Sequence, residues 1–276
     1  MTVPLPLRIA RFAAIALLLA FTLLPIYWIL ITGFRPDAEV LTPVLSLFPK
    51  TWTLANYEDL ISRADIGRFL SNSVVVAIVS TILSVGLALP AAYALERLPY
   101  PGKLAENVSL WALSTRFIPP FAIALPLFLI FRDLRLLDTR TGLIIAHTIF
   151  SLPFALWILQ SGFREVPIEI EEAARVDGCD RWQIFARIAV PLVVPSIFCA
   201  AIFSLLLSWN EFLFALLLTV NNASTLPLLV ARFVTDRSLQ WGAIAAAATV
   251  ASVPVMLFLI LGQRYLVRGL TAGAVK

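Results

Sequence analysis

Charge is scarce in this sequence. Lys, Arg, Asp and Glu make up 14% of its 276 residues, against roughly 25% in an ordinary soluble domain, and the mean hydropathy is +0.92. That balance excludes a water-soluble globular fold. Histidine is nearly absent. His147 is the only one, which leaves neither a His-based metal cluster nor a Ser-His-Asp triad. Cysteine is limited to Cys179 and Cys199, and no disulfide framework follows from them. No G-x-x-x-x-G-K-[S/T] run occurs, because Gly102-Lys103 is followed by Leu104 and lacks the upstream glycine. ATP hydrolysis by a phosphate-cradling loop of that kind is therefore excluded. The formal charge of +4 is small and scattered, unlike the basic stripe of a nucleic-acid binder.

Long apolar runs are abundant. Six segments, 12–33, 71–92, 108–131, 142–162, 192–219 and 241–262, each reach the length of about 20 residues needed to cross a hydrocarbon core. They predict an all-α integral membrane protein with six transmembrane helices. The organisation expected is a first helix with an external loop (1–70), a five-helix core (71–262) and a tail (263–276). Arg8 and Arg11 precede the first run as in a signal peptide, but the run is long and no small-x-small cleavage site follows, so it is expected to stay uncleaved. With both termini inside, 11 Lys and Arg fall inside and 9 outside, a weak positive-inside bias. Pro36, Pro43 and Pro49 predict short turns in the first external loop.

Within the spans, polar residues stand out. Pro119, Pro120 and Pro126 predict a bent or broken third helix. Arg116 lies in that helix, either facing protein or a wet cavity or snorkelling to the interface. His147 reads as a helix-end residue near the lipid interface. The fifth helix contains Ser208-Trp209-Asn210-Glu211-Phe212, and a carboxylate inside a span is a functional candidate. The alternative is that Glu211 simply reaches the outer interface. Small residues in the sixth helix, Gly242, Ala243 and Ala245 to Ala248, suit close packing.

The longest polar stretch runs from Phe163 to Pro191. Ile168, Ala173 and Val176, then Trp182, Phe185 and Ile188, recur at helical spacing, so two short amphipathic helices are expected. Pro167 suits the first turn, with Glu169, Glu171 and Glu172 near the positive end of the dipole. Gly178 can end that helix in the left-handed conformation. Asp180 with Gln183 forms a capping box for the second helix, and Pro191 is expected to stop it. Ala173 and Ala174 leave a smooth surface for close approach by a partner.

Glu172-Ala173-Ala174, then three residues, Gly178, nine residues, Ile188, one residue and Val190-Pro191 resemble the EAA loop of permease subunits of ATP-driven (ABC) importers. Val190 stands where that family usually has Leu. Asn72 and the Ala91-Ala92-Tyr93-Ala94-Leu95 run resemble the opening of the permease core, and the Trp209-Asn210-Glu211-Phe212 stretch is similar to one in carbohydrate permeases. The tail from Gln263 to Lys276 resembles that of the second, shorter subunit of the maltose-permease type. The resemblance implies a type I importer fold whose helix–Gly–helix is a ridge seated in a groove on the ATP-hydrolysing subunit. Coupling would fall to Glu171, Glu172, Ala173, Ala174, Asp177, Gly178, Ile188 and Pro191, and the translocation path to Trp209, Asn210 and Glu211. It implies a non-catalytic subunit carrying a sugar, polyol or related glycoside across a bacterial cytoplasmic (inner) membrane. Its implied partners are a second homologous permease, two ATPase subunits that hold ATP and Mg, a periplasmic or extracellular solute-binding protein, and membrane lipid, with no nucleic acid and no cofactor on this chain. The competing reading is an ion-coupled secondary transporter, which would need inverted repeats and buried carboxylates. A membrane-embedded enzyme would need a cluster of nucleophile, base or metal ligands.

Overall fold

The computed structural model describes residues 4–42, 46–62, 65–233 and 240–272, with backbone alone for Leu261 and residues 264–272. Pro43, Asp236, Arg237 and residues 273–276 lie outside the described residues. In chain order the helices are α1 (Leu5–Gly33), α2 (Asp37–Val40), α3 (Ala55–Ser62), α4 (Ile66–Arg97) and α5 (Leu104–Ser114). A 3-10 turn, Thr115–Phe117, leads to α6 (Pro120–Asp133), and α7 (Arg140–Glu165), α8 (Ile168–Val176) and α9 (Arg181–Ile184) follow. A π turn, Phe185–Ala189, continues into α10 (Val190–Leu192), then α11 (Val194–Trp209), α12 (Leu213–Leu218), α13 (Leu226–Arg232) and α14 (Trp241–Ala272).

By length and composition, four of these helices can cross a membrane, and up to six spans result if each bent pair counts as one. The first bent pair is the expected broken third helix: its two limbs meet at 93°, where Ile118 is extended ahead of two prolines that cannot continue the ladder. The fifth segment departs further from expectation. It is entered through a 73° bend at Val193, and it is interrupted at Asn210–Phe212 before α12. Pro191 does not stop the preceding helix. It occupies the second position of α10, where its missing N–H costs little because the π turn has already shifted the bonding pattern.

Contacts divide the chain into two units, residues 1–67 with 229–253 and residues 68–228 with 254–276. In the first, α1 exposes nearly all of its apolar side chains, as a lipid-facing helix does. The polar segment after it caps its end: Asn56 donates to the carbonyls of Gly33 (3.0 Å) and Arg35 (2.9 Å). Phe34 packs against Trp52 and Tyr57. Where short turns were expected the chain forms two short helices, the four-residue α2 and the eight-residue α3. Buried Arg35 lies over Trp28, and Glu39 accepts from the Lys50 and Thr51 amides.

The second unit holds two apolar clusters: α4, α7 and α11 meet in one, and α4, α6, α7 and α12 in the other. One gathers Val85, Ala88 and Ala92 with Leu156, Leu159, Phe163, Val193 and Ala200. The other gathers Val76, Phe131, Leu143, Ala146 and Phe214. Buried polar residues also line the interior of three helices: Ser80 and Ser84 on α4, His147, Thr148 and Ser151 on α7, and Ser204 and Ser208 on α11. Gly162 lets α7 approach α11 closely, since a Cβ there would lie 2.4 Å from Ser196 Oγ. Beyond α12, Asp138 gathers the 220–223 segment. Its carboxylate accepts from the amides of Val220 (3.1 Å), Asn221 (3.2 Å), Asn222 (2.9 Å) and Ala223 (3.1 Å). Partial burial pushes the carboxyl up, but these four amides outweigh it and hold Asp138 below its ordinary value. Asn72, fully buried, donates to the carbonyls of Asn222 and Ser224 and accepts from Arg140 Nε (2.7 Å).

Candidate functional site

The polar stretch 163–191 folds as a helix–turn–helix ridge. Pro167 is the N-cap of α8 rather than its first residue, and Glu169 and Glu171 lie in its first turn. The end of α8 is a Schellman motif: Cys179 N–H reaches Ala174 O (3.0 Å) and Gly178 N–H reaches Arg175 O (3.2 Å). Gly178 stands at φ +89°, a conformation costing other residues about 1–2 kcal/mol. Asp180 accepts from Gln183 N–H (2.8 Å) while Gln183 Oε1 accepts from Asp180 N–H (3.0 Å), the reciprocal capping box that starts α9.

The ridge turns its apolar residues outward. Val176 is 89% exposed and Trp182 73%, and Ile168 and Ile170 are also exposed. Glu172, Ala173, Asp177, Gly178 and Pro191 are exposed as well, and Ile188 is half-buried in the π turn. Two expected coupling residues face the other way. Ala174 packs inward, and Glu171 is 2% exposed, so only one of the paired alanines is on the surface. Glu171 Oε1 accepts from Arg97 Nε (2.7 Å) and Oε2 from Tyr93 OH (2.9 Å). The same arginine donates through Nη2 to the carbonyls of Phe163 and Val166, both at 2.7 Å, which cap the end of α7. Tyr93 packs edge-on against Phe163 and at a tilt against Phe185. A cleft of about 730 Å³ opens beside this group, lined among others by Arg97, Arg175, Arg181 and Trp182.

The Trp209-Asn210-Glu211 motif is a helix break, not a stretch of continuous helix. Trp209 is buried against Phe258. Asn210 is exposed and donates to Leu206 O. Glu211 accepts from the Phe214 N–H (2.9 Å) and so restarts the chain as α12. Its carboxylate lies 3.5 Å from His147 Nε2. His147 is therefore neither at the helix end nor open to lipid: it sits two turns inside α7, 2% exposed, with Nδ1 2.7 Å from Ser208 Oγ. Ser208 in turn accepts from Ser80 Oγ. Arg116 faces protein, donating to Phe150 O (2.7 Å) with its guanidinium 3.9 Å over the Phe150 ring. No sequence spacing links His147 to Glu211, 64 residues apart along the chain; only the antiparallel pairing of α7 with α11 joins them. Among the described residues no group of three or more His, Cys, Asp or Glu is gathered as for a metal ion.

Comparison with known proteins agrees with this geometry. A family model described as "Binding-protein-dependent transport system inner membrane component" matches residues 84–272. The sulfoquinovosyl glycerol transport system permease protein of Agrobacterium fabrum is 38% identical over 267 residues, covering 96% of this chain and 93% of that one. The trehalose transport system permease protein of Mycobacterium tuberculosis is 38% identical over 263 residues, covering 94% of each. A solved bacterial ABC transporter that imports the acidic polysaccharide alginate contains a chain superposing with TM-score 0.78 at 21% identity, over 96% of this chain and 99% of that one. The family model, which covers more than half of the chain, and the relatives matched over nearly all of it establish that it belongs to the inner membrane component family of binding-protein-dependent transport systems, as an ABC transporter permease.

Proposed function

We propose that this chain is one of two homologous permeases in an importer for a sugar, polyol or related glycoside, with the 163–191 ridge seated on a separate ATPase subunit. The observation that carries the reading is the outward apolar face of the ridge. Val176, Trp182, Ile168 and Ile170 lie exposed on a polar, rigidly capped helix pair, and exposed apolar side chains rimmed by polar ones mark a protein contact. The permease relatives named for trehalose and for a glycoside support the solute class.

On this reading Glu172, Ala173, Asp177 and Gly178 form the contact, while Ile188 and Pro191 join it to α11. Closure of the ATPase pair displaces the ridge, and the helices attached to it switch access to a path between the two permeases. Asn210, exposed at the break, and Glu211 behind it contribute to that path; Trp209 acts from inside the chain by holding the break. ATP and Mg belong to the ATPase, a binding protein delivers solute from the outer side, and both termini are cytoplasmic.

The test is mass spectrometry of what co-purifies with the tagged chain from its native membrane in mild detergent. An ATPase and a second permease are expected. A chain that emerges alone, yet transports in proton- or sodium-loaded vesicles, overturns the reading.

A further inference from the structure

The inward face of α8 is small. Its buried residues are Glu171 and Ala174, one carboxylate and one methyl group, so little apolar packing holds the first ridge helix to the bundle. No helical ladder runs through its covalent link. Val166 and Pro167 alone separate α7 from α8, Val166 is extended (φ −79°, ψ 120°), and Pro167 has no N–H to bond back. The angle between the two helices is therefore held by side-chain contacts, and α8 can pivot where those give way.

Three side chains oppose that pivot. The Arg97 guanidinium bonds Glu171 on one side and the Phe163 and Val166 carbonyls on the other. It thereby joins the last turn of α4, the last turn of α7 and the inward face of α8 through one planar group. Tyr93, one turn back on α4, supplies the second bond to Glu171 and packs against Phe163 and, in the π turn of the ridge, Phe185. The Arg97 and Glu171 side chains are 10% and 2% exposed, so water does not compete freely for these bonds.

We propose that Arg97 and Tyr93, acting through Glu171, are positioning residues that lock the ridge to α4 and α7, so that its displacement is delivered to both transmembrane helices instead of being lost in a pivot at Val166–Pro167. The inference rests on the ridge being the ATPase contact. Glu171 then serves coupling from inside the chain and makes no contact with the ATPase.

The lock is tested in the assembled transporter, reconstituted in lipid vesicles, with Glu171→Gln and the milder Tyr93→Phe, which keeps the ring. Coupling between sites commonly amounts to a factor of about 5–150, so solute moved per ATP should fall about fivefold or more in Glu171→Gln and less in Tyr93→Phe. The ATPase should co-purify with both. Spin labels at Ser161→Cys on α7 and Glu169→Cys on α8, with Cys179 and Cys199 replaced by Ser, report the pivot directly. The wild-type distance distribution should be narrow and that of Glu171→Gln broad. Unchanged solute-to-ATP ratio with an unbroadened distribution overturns the lock, and so does loss of the ATPase from Tyr93→Phe, which would make the group part of the docking surface. A Gly178→Trp variant separates the two levels. If it transports normally, the ridge reading itself fails. If it is inactive while Glu171→Gln stays fully coupled, only the lock fails.

Discussion

Replacing Asp138 by Asn should release the segment 219–225 while leaving the bundle intact. The Asp138 carboxylate accepts from four successive backbone amides and from Asn222 Nδ2 (3.0 Å). An asparagine offers a single acceptor oxygen and turns its own NH₂ toward the remaining donors. A hydrogen bond to a charged group is worth about 1.5–3 kcal/mol net, so losing one or two of them costs about 2–4 kcal/mol, and the partly solvated setting favours the lower end. At about 1.4 kcal/mol per factor of ten, 2 kcal/mol raises local opening about 30-fold. Asn72 still holds the Asn222 and Ser224 carbonyls, so the variant should insert and assemble. Hydrogen–deuterium exchange on the protein in nanodiscs reads the effect: protection of amides 220–223 should fall about 30-fold, with the α7 core unchanged. The sign of the pH dependence follows from the lowered Asp138 carboxyl. Its contribution is complete above the ordinary carboxylate value and is lost as pH falls through the folded value. Protection corrected for intrinsic exchange should therefore be flat from about pH 7 down to pH 5. An Asp138→Asn protein with wild-type protection across 220–223 would refute the reasoning.

Two further outcomes follow from the same contacts. Glu211→Gln keeps one acceptor for the Phe214 amide but removes the charge facing His147, so uptake should slow several-fold with ATPase docking retained; unchanged uptake kinetics would leave Glu211 as a helix cap only. A methyl group at Gly162 would lie 2.4 Å from Ser196 Oγ and 2.5 Å from its Cβ, so Gly162→Ala should destabilise the α7–α11 pair by about 1–3 kcal/mol. Its melting temperature in detergent should drop, and Ser196→Gly should restore it; a double variant no more stable than the single one would argue against the close approach.

Much of the local structure was legible in the residues because it depends on short-range chemistry. The apolar runs marked where helices lie, Pro119-Pro120 marked the break, and the Gly178 turn and the Asp180–Gln183 box were read from spacing alone and appear as expected. Helix ends of this kind are set by bonds within a few residues, so spacing suffices. The family was legible for the same reason, since the EAA-type spacing lies within one contiguous stretch.

The assignment of faces was not legible. Glu171 and Glu172 are adjacent acids in an acidic run, and nothing local says that the first turns in to Arg97 and Tyr93 while the second stays in water. His147 reads as interfacial until α11 brings Ser208 and Glu211 against it, and the fifth helix reads as continuous until Glu211 is seen to cap a new one. In an apolar chain every helix face is compatible with burial or with lipid, so periodicity cannot choose between them. The choice is made by the few polar side chains whose desolvation is affordable only where a partner from a distant helix meets them, and that pairing exists only once the bundle has closed.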